Sequence, residues 1–451
     1  MHLKKHLSFT ALRKALSDHF CDIDDRRQSG KVNYSLHDCL MSGFAMMFFQ
    51  DPSLLAFQKR MQDSIQVNNL NKVFAVSDIP SDTQIRDILD PLKADALEKI
   101  FPAILHRLQR GKHLINYQFL DDMYLVSLDG SEYFSPDKIN CPHCLVTTSK
   151  GKRRFHHQIL QSVIVHPDMR QVLPLAPEQI SNKDGNKKQD CERNAGKRVI
   201  HKIRKACPKL EIIITGDGLY SNQPFIDEVK RARMSYILVA KPDDHKILFQ
   251  WVADLTQLGE GDRMELVDDK GRKHCYQWVN QVPLNGTRDA DDVNFFQYQI
   301  VSKSGKITYK NSWVTDIFVD KDNVVTLVKG GRARWKIENE TFNTLKNQGY
   351  HIEHNFGHGK QNLSMIFFVL NLLAFYVHQV LELTDRLYQT VRYEKFTSEK
   401  SFGTNCAVPF ESCCSEILST CLPISCTPLT LCPLKAILKL KNDILGQPGS
   451  E

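Results

Sequence analysis

The sequence predicts an α/β fold: a mixed sheet with an antiparallel start, flanked by helices, preceded by a helical N-terminal region and interrupted by a strand-rich insertion. Three observations carry this. Short apolar runs, Met123 to Leu128 and Glu211 to Gly216, each end at an Asp-Gly pair, as a buried strand running into a turn does. Small or apolar side chains return at Cys191, Ala195, Val199, Ile203 and Ala206, a helical spacing. Residues 262–328 alternate strand-like runs with turn signals at Asn285-Gly286 and Ser304-Gly305.

Taken in order, residues 1–115 read as a helical domain, one that either binds DNA or simply packs. Ser81-Asp82 ahead of Ile85, Ile88 and Leu89 marks a capped amphipathic helix, and Phe44, Met47, Phe48 and Phe49 mark a buried one. Residues 116–261 hold the first part of the sheet. Ile159 to Val165 and Gln171 to Leu175 flank His166-Pro167-Asp168 as a hairpin, Asn222 to Arg233 is a helix, and Tyr236 to Ala240 a strand. Residues 262–330 form the mostly β insertion. Residues 331–395 return to helices, at Ala333 to Asn347 and Leu363 to Leu387.

With 451 residues, 42% of them apolar and 25% charged, the chain can build cores for two or three domains, which excludes extensive disorder. The net charge of +7 is mild and suits a polyanionic partner without requiring one. Met1 to Lys14 is basic and amphipathic and lacks the apolar stretch of a secretory signal. The run Leu363 to Val377, broken by Ser364 and Asn371, falls short of the roughly 20 apolar residues that span a bilayer, so it reads as a buried core helix. The expectation is a cytoplasmic protein with no membrane contact, whose 13 cysteines are mostly thiols.

Asp129 and Asp217 each follow an apolar strand, where a rigid element can hold a carboxylate at the open end of a sheet, as divalent-metal sites need. A turn-favoured Asp is the plainer reading of either alone. A third acid comes from the segment Arg332-Ala333-Arg334-Trp335-Lys336-Ile337-Glu338-Asn339-Glu340-Thr341-Phe342. On a helix, Arg334 and Glu338 share a face, while Trp335, Phe342 and Leu345 anchor another side to the core. A solvated salt bridge is the plainer reading here, but a carboxylate so close to an aromatic packing face calls for a use.

This segment resembles the signature of bacterial insertion-sequence DDE transposases, in which an Arg, three residues and the catalytic Glu lie on one helix. Asn343 to Tyr350, His354 to Gly359, Leu128-Asp129-Gly130 and Thr215-Gly216-Asp217-Gly218 resemble the same group, from about residue 30 to about residue 395. The resemblance implies a ribonuclease-H-like fold, with a mostly β insertion before the last Glu. It implies that Asp129, Asp217 and Glu338 are the catalytic, metal-binding carboxylates, with Glu340 as the rival for the third place. The cofactor implied is two Mg²⁺ ions about 4 Å apart, with Mn²⁺ as a substitute. The activity implied is cleavage of double-stranded DNA at transposon terminal inverted repeats and transfer of the ends into target DNA, by a dimer on the nucleoid. A repurposed, non-catalytic DNA-binding protein and a nuclease that cuts without joining are the alternatives. Two positions depart from the family pattern: Gly331 stands where Tyr is common, and Leu345 where Lys is, with Lys346 one place later.

For phosphate contact the candidates are Arg332, Arg334, Lys346 and a basic loop of Lys152, Arg153 and Arg154 beside Lys150. Residues 187–209 carry nine further Lys or Arg, either a DNA-facing or a solvated helix face. Cys141 and Cys144 have zinc-ligand spacing with His156-His157 nearby, but adjacent histidines are not the usual pair, so zinc is the minor reading there. His351, His354 and His358 read as DNA-facing or structural rather than as ligands. The tail, 396–451, loses all periodicity and holds Cys406, Cys413, Cys414, Cys421, Cys426 and Cys432; it reads as outside the folded enzyme, the out-of-frame product of a small insertion or deletion.

Overall fold

The computed structural model describes residues 5–135, 140–149, 151–181, 189–386 and 388–390. The tail from residue 396, and Lys150, Lys187 and Lys188 of the basic runs, lie outside them. Eleven strands make one sheet. They are β1 (Tyr124–Phe134), β2 (Leu145–Ser149), β3 (Lys152–Val165), β4 (Leu173–Pro174), β5 (Glu178–Ile180), β6 (Ile212–Gly216), β7 (Ser235–Val239), β8 (Asp262–Val267), β9 (Lys273–Pro283), β10 (Asp292–Val301) and β11 (Ile307–Thr315). The order is β2-β3-β1-β6-β7-β11-β10-β9-β8, with β4 and β5 also pairing β3. β1, β6 and β7 run parallel, while β3 pairs antiparallel with β1. That is a ribonuclease-H-like mixed sheet with helices against it.

The insertion is not a separate layer. β11 pairs with β7 through Trp313↔Val239 and Thr315↔Ile237, so the four added strands extend the same sheet.

The helix Glu192–Ala206 buries Ala195, Val199, Ile200 and Ile203. Gln223–Arg231 is capped by Asn222, whose side chain accepts from the Phe225 N–H, and it buries Phe225, Ile226 and Val229. The 22-residue helix Leu363–Thr384 is buried nearly all round, the pattern of a core helix rather than an amphipathic one. Among the described residues it is the one helix long and apolar enough to cross a membrane, and 94% of its most apolar window is inside the molecule. It packs on Leu36–Phe48, where Phe48 meets His378 at 4.4 Å between ring centres. Asp82–Leu89 has a capping box made by Ser81 and Gln84, as its sequence implies. The N-terminal helices and the sheet share one buried apolar cluster running from Leu7 to Leu381.

Two local expectations are corrected. The helix carrying the third acid starts at Val324, not Ala333, and passes through a π-helical segment, Ile337–Phe342, before Asn343–Asn347. Valines and two glycines weaken its first turns by propensity, but packing overrides this. A Cβ on Gly331 would lie 2.6 Å from the Trp313 indole nitrogen, so Trp313 fills the space a larger residue would need. Trp335 is 42% exposed and does not anchor the helix; Ile337, Thr341, Phe342 and Leu345 do.

Candidate active site

Asp217 follows the last residue of β6, as its sequence implies. Asp129 does not end a strand. β1 runs on through Asp129↔Gln161 and Gly130↔Leu160 to Phe134, because β3 continues to pair with it. Here Asp-Gly is not a turn: a Cβ at Gly130 would collide with the Glu192 carboxylate, so glycine is the residue that lets that acid approach.

β1 and β6 are in register up to Ser127↔Thr215, and the buried hydroxyls of those two residues lie 2.8 Å apart. Two residues further along each parallel strand stand Asp129 and Asp217. β6 leaves the sheet there, which opens the edge of β1 on that side. The Asp129 carboxylate accepts from its neighbour Gly130 N–H at 3.0 Å, and that of Asp217 from Leu219 N–H at 2.9 Å. Both carboxylates are thus oriented by backbone.

Glu338 arrives on the π-helical segment, a widened turn that is frequent at functional sites. Arg334 ties the parts together: its guanidinium lies 2.7 Å from Glu338 Oε1 and 3.8 Å from Asp129 Oδ2. The expected same-face pair therefore exists, but it also reaches across to the sheet. The rival Glu340 acts instead on Lys336, whose ammonium donates to the Met169 carbonyl at 2.7 Å.

A fourth acid escaped sequence reading. Glu192, at the first turn of its helix, accepts from Tyr220 Oη at 2.7 Å and lies beside Asp129 and Asp217. Its only sequence signal was an acidic residue opening a basic helix, which is ordinary. Burial pushes the Asp129 carboxyl up to about 7, against the Arg334 charge, with Glu338, Glu192 and Asp217 pushing the same way as burial. Burial likewise raises Glu192. Of these four carboxylates, those of Asp129 and Glu338 pair with the Arg334 guanidinium. Carboxylate oxygens are the donor type that hard divalent cations such as Mg²⁺ and Mn²⁺ take, so the donor chemistry of these residues suits such ions.

The basic candidates scatter. Arg332 stacks on Tyr309 and Tyr298 of the insertion, at 4.9 and 5.7 Å from the ring centres. Lys346 pairs with Glu353 at 2.9 Å. Lys152, Arg153 and Arg154 open strand β3 rather than forming a loop; the first two are exposed, and Arg154 binds Glu132 at 2.6 Å. Of the long basic helix, Arg198 pairs with Glu178 and Asp190, Lys202 with Glu98 and Glu178, and Arg204 donates to five backbone carbonyls, those of Cys207, Pro208, Leu210, Ala232 and Arg233. Those three cations hold the fold, so the length of the run overstates a DNA-facing surface.

Residues 142–375 match the family model described as the transposase DDE domain. That span includes Asp217 and Glu338 and begins after Asp129. No curated protein matches the chain.

Proposed function

The chain belongs to the transposase DDE-domain family, whose partner is DNA, and from that membership we propose that it cuts transposon ends and joins them to target DNA using Asp129, Asp217 and Glu338. The observation that carries this reading is the junction made by Arg334, which links a helix-borne Glu to a sheet-borne Asp, with Asp217 at the exit of the neighbouring parallel strand. Two Mg²⁺ ions bound among these carboxylates would supply the Lewis acidity that activates a water or a DNA 3′-hydroxyl and offsets charge on the leaving oxygen. The protein's own part is orientation. Backbone N–H groups fix Asp129 and Asp217, the packed helix fixes Glu338, and Glu192 adds negative charge behind them. Arg334 neutralises two of the acids and has further N–H donors free in kind for a phosphate.

The DNA is the terminal inverted repeat of the element and a target duplex, with two copies of the chain bridging the two ends. The test uses end-bearing plasmid with Mg²⁺ or Mn²⁺, followed by pre-cut ends offered a target. Wild type should nick and join; Asp217→Ala should do neither. Nicking without joining would reduce the protein to a nuclease, and equal nicking by Asp217→Ala would remove the acids from the chemistry.

Lys152 and Arg153 project from the start of β3 and make a sequence-independent contact with the phosphate backbone. Replacing both with Ala should weaken binding evenly across DNA sequences and reduce the salt slope by about two. An unchanged slope in a binding titration would place the backbone contact elsewhere.

A further inference from the structure

Away from the acids, four side chains from distant parts of the chain point at one another. Cys141 and Cys144 lie before and at the start of the β2–β3 hairpin, His157 lies on β3, and His358 belongs to the segment leading into Leu363–Thr384. We propose that Cys141, Cys144, His157 and His358 hold one structural zinc ion that clamps the hairpin to that segment.

The distances carry the argument. With Zn–S near 2.3 Å and Zn–N near 2.0–2.1 Å, a tetrahedral Cys₂His₂ site sets ligand atoms about 3.8 Å apart for S···S, about 3.6 Å for S···N and about 3.3 Å for N···N. Here the two Sγ atoms are 3.8 Å apart. Nε2 of His157 lies 3.5 Å from each of them, and Nε2 of His358 is 3.5 Å from Cys144 Sγ. The two Nε2 atoms are 3.0 Å apart. All four ligating atoms fall within 4.8 Å of one another, and three of the four residues are buried.

The surroundings agree. His358 Nδ1 donates to the Gly359 carbonyl at 3.0 Å, which leaves Nε2 with its lone pair toward the cluster, the usual arrangement of a metal-bound imidazole. The Phe134 ring packs at a tilt against both histidines, and the Tyr133 ring against His157. Two thiols give up their protons to solvent when zinc binds, and two thiolates with two neutral imidazoles leave the complex uncharged. A neutral complex suits an apolar site in which a bare ion would not. Sulfur and imidazole select zinc and reject Mg²⁺, so this site and the oxygen-rich one do not compete for the same ion.

His156, next to His157, stays out of the cluster because neighbouring strand residues face opposite sides. It sits 3.5 Å from Thr147 Oγ1 and 3.8 Å from Glu132. The sequence pair His156-His157 was therefore misleading, and the fourth ligand is 214 residues from Cys144. The clamp would fix β3, which pairs with the strand bearing Asp129, against the chain that follows the Glu338 helix.

The test uses the full chain purified under reducing conditions from zinc-supplemented medium. Elemental analysis should give about one zinc per chain, and X-ray absorption should give two sulfur and two nitrogen neighbours at the distances above. Cys144→Ser and His358→Ala should each lose that zinc, whereas the tail variant Cys413→Ser with Cys414→Ser should keep it. Wild type without zinc, zinc retained by both site variants, or a Cys141–Cys144 disulfide found by mass spectrometry would each overturn the proposal. Because metal content and absorption are read on wild type, the outcome stands even if a variant fails to fold.

Discussion

Asp129→Asn is expected to lower DNA cleavage by roughly 10³-fold or more and, in the same preparation without divalent metal, to raise thermal stability at about pH 8. The two effects share one cause. Burial among Glu338, Glu192 and Asp217 pushes the folded-state carboxyl to about 7 from its ordinary value of 3.8. The folded chain therefore binds more protons than the unfolded chain between these values. A raised acid contributes stability that is complete below about pH 4 and is lost as pH rises through about 7. For Asp129 alone the loss is about 4 kcal/mol at most. Asn carries no charge to desolvate and still accepts from the Gly130 N–H through its side-chain oxygen, so the variant escapes the loss. Melting curves of both proteins at about pH 5 and about pH 8, with and without Mn²⁺, give the comparison. Metal-free wild type should lose more stability on going to the higher pH than the variant does. Mn²⁺ should restore wild type far more than Asp129→Asn. Identical pH slopes would falsify the strained-acid reading, whatever the activity. A site that is unstable until its cation arrives is the usual cost of gathering like charges for function.

What the sequence revealed followed the range of the interactions involved. Asp217 was legible because the apolar run before it and its exit from the sheet are local. Arg334 and Glu338 were legible as a pair because helical spacing alone sets them side by side. Asp129 was read as ending a strand but lies inside β1, since Asp-Gly signals a turn unless something across space requires the glycine, and here Glu192 does. Glu192 was not singled out, and His358 was read as DNA-facing or structural, because their partners lie on other elements. The basic helix misled in the opposite sense. Nine cations in 23 residues read as a surface, yet Arg198, Lys202 and Arg204 are spent on buried acids and orphan carbonyls that only the fold brings near. Strands between residues 262 and 315 were legible from turn signals, but their continuation of the main sheet depends on the β7–β11 pairing, which no local pattern encodes.

Arg334→Ala is expected to cost about 10²–10³-fold in cleavage, the range for removing one preorganised charge donor from a catalytic centre, and to move the acidic limb of the pH–rate profile upward. Arg334 is the cation that holds Asp129 down, opposing burial and three acids. Without it the carboxyl protonates at still higher pH, so metal must displace a more tightly held proton and activity should recover only in more alkaline buffer. The same substitution releases Glu338, whose carboxylate otherwise meets the guanidinium at 2.7 Å. Arg334→Lys separates charge from geometry. A lysine ammonium is a point donor and cannot serve two carboxylates at 2.7 and 3.8 Å as a planar fork does. It should therefore restore most of the pH profile through its charge while recovering only part of the rate. If Arg334 also meets a phosphate at the transposon end, the alanine variant should bind ends with a salt slope smaller by about one. Full activity with an unshifted profile in Arg334→Ala would reduce the pair to a helix salt bridge and take away the observation on which the assignment of Glu338 rests. A lost rate with an unmoved profile would instead leave Arg334 as a DNA contact that does not tune Asp129.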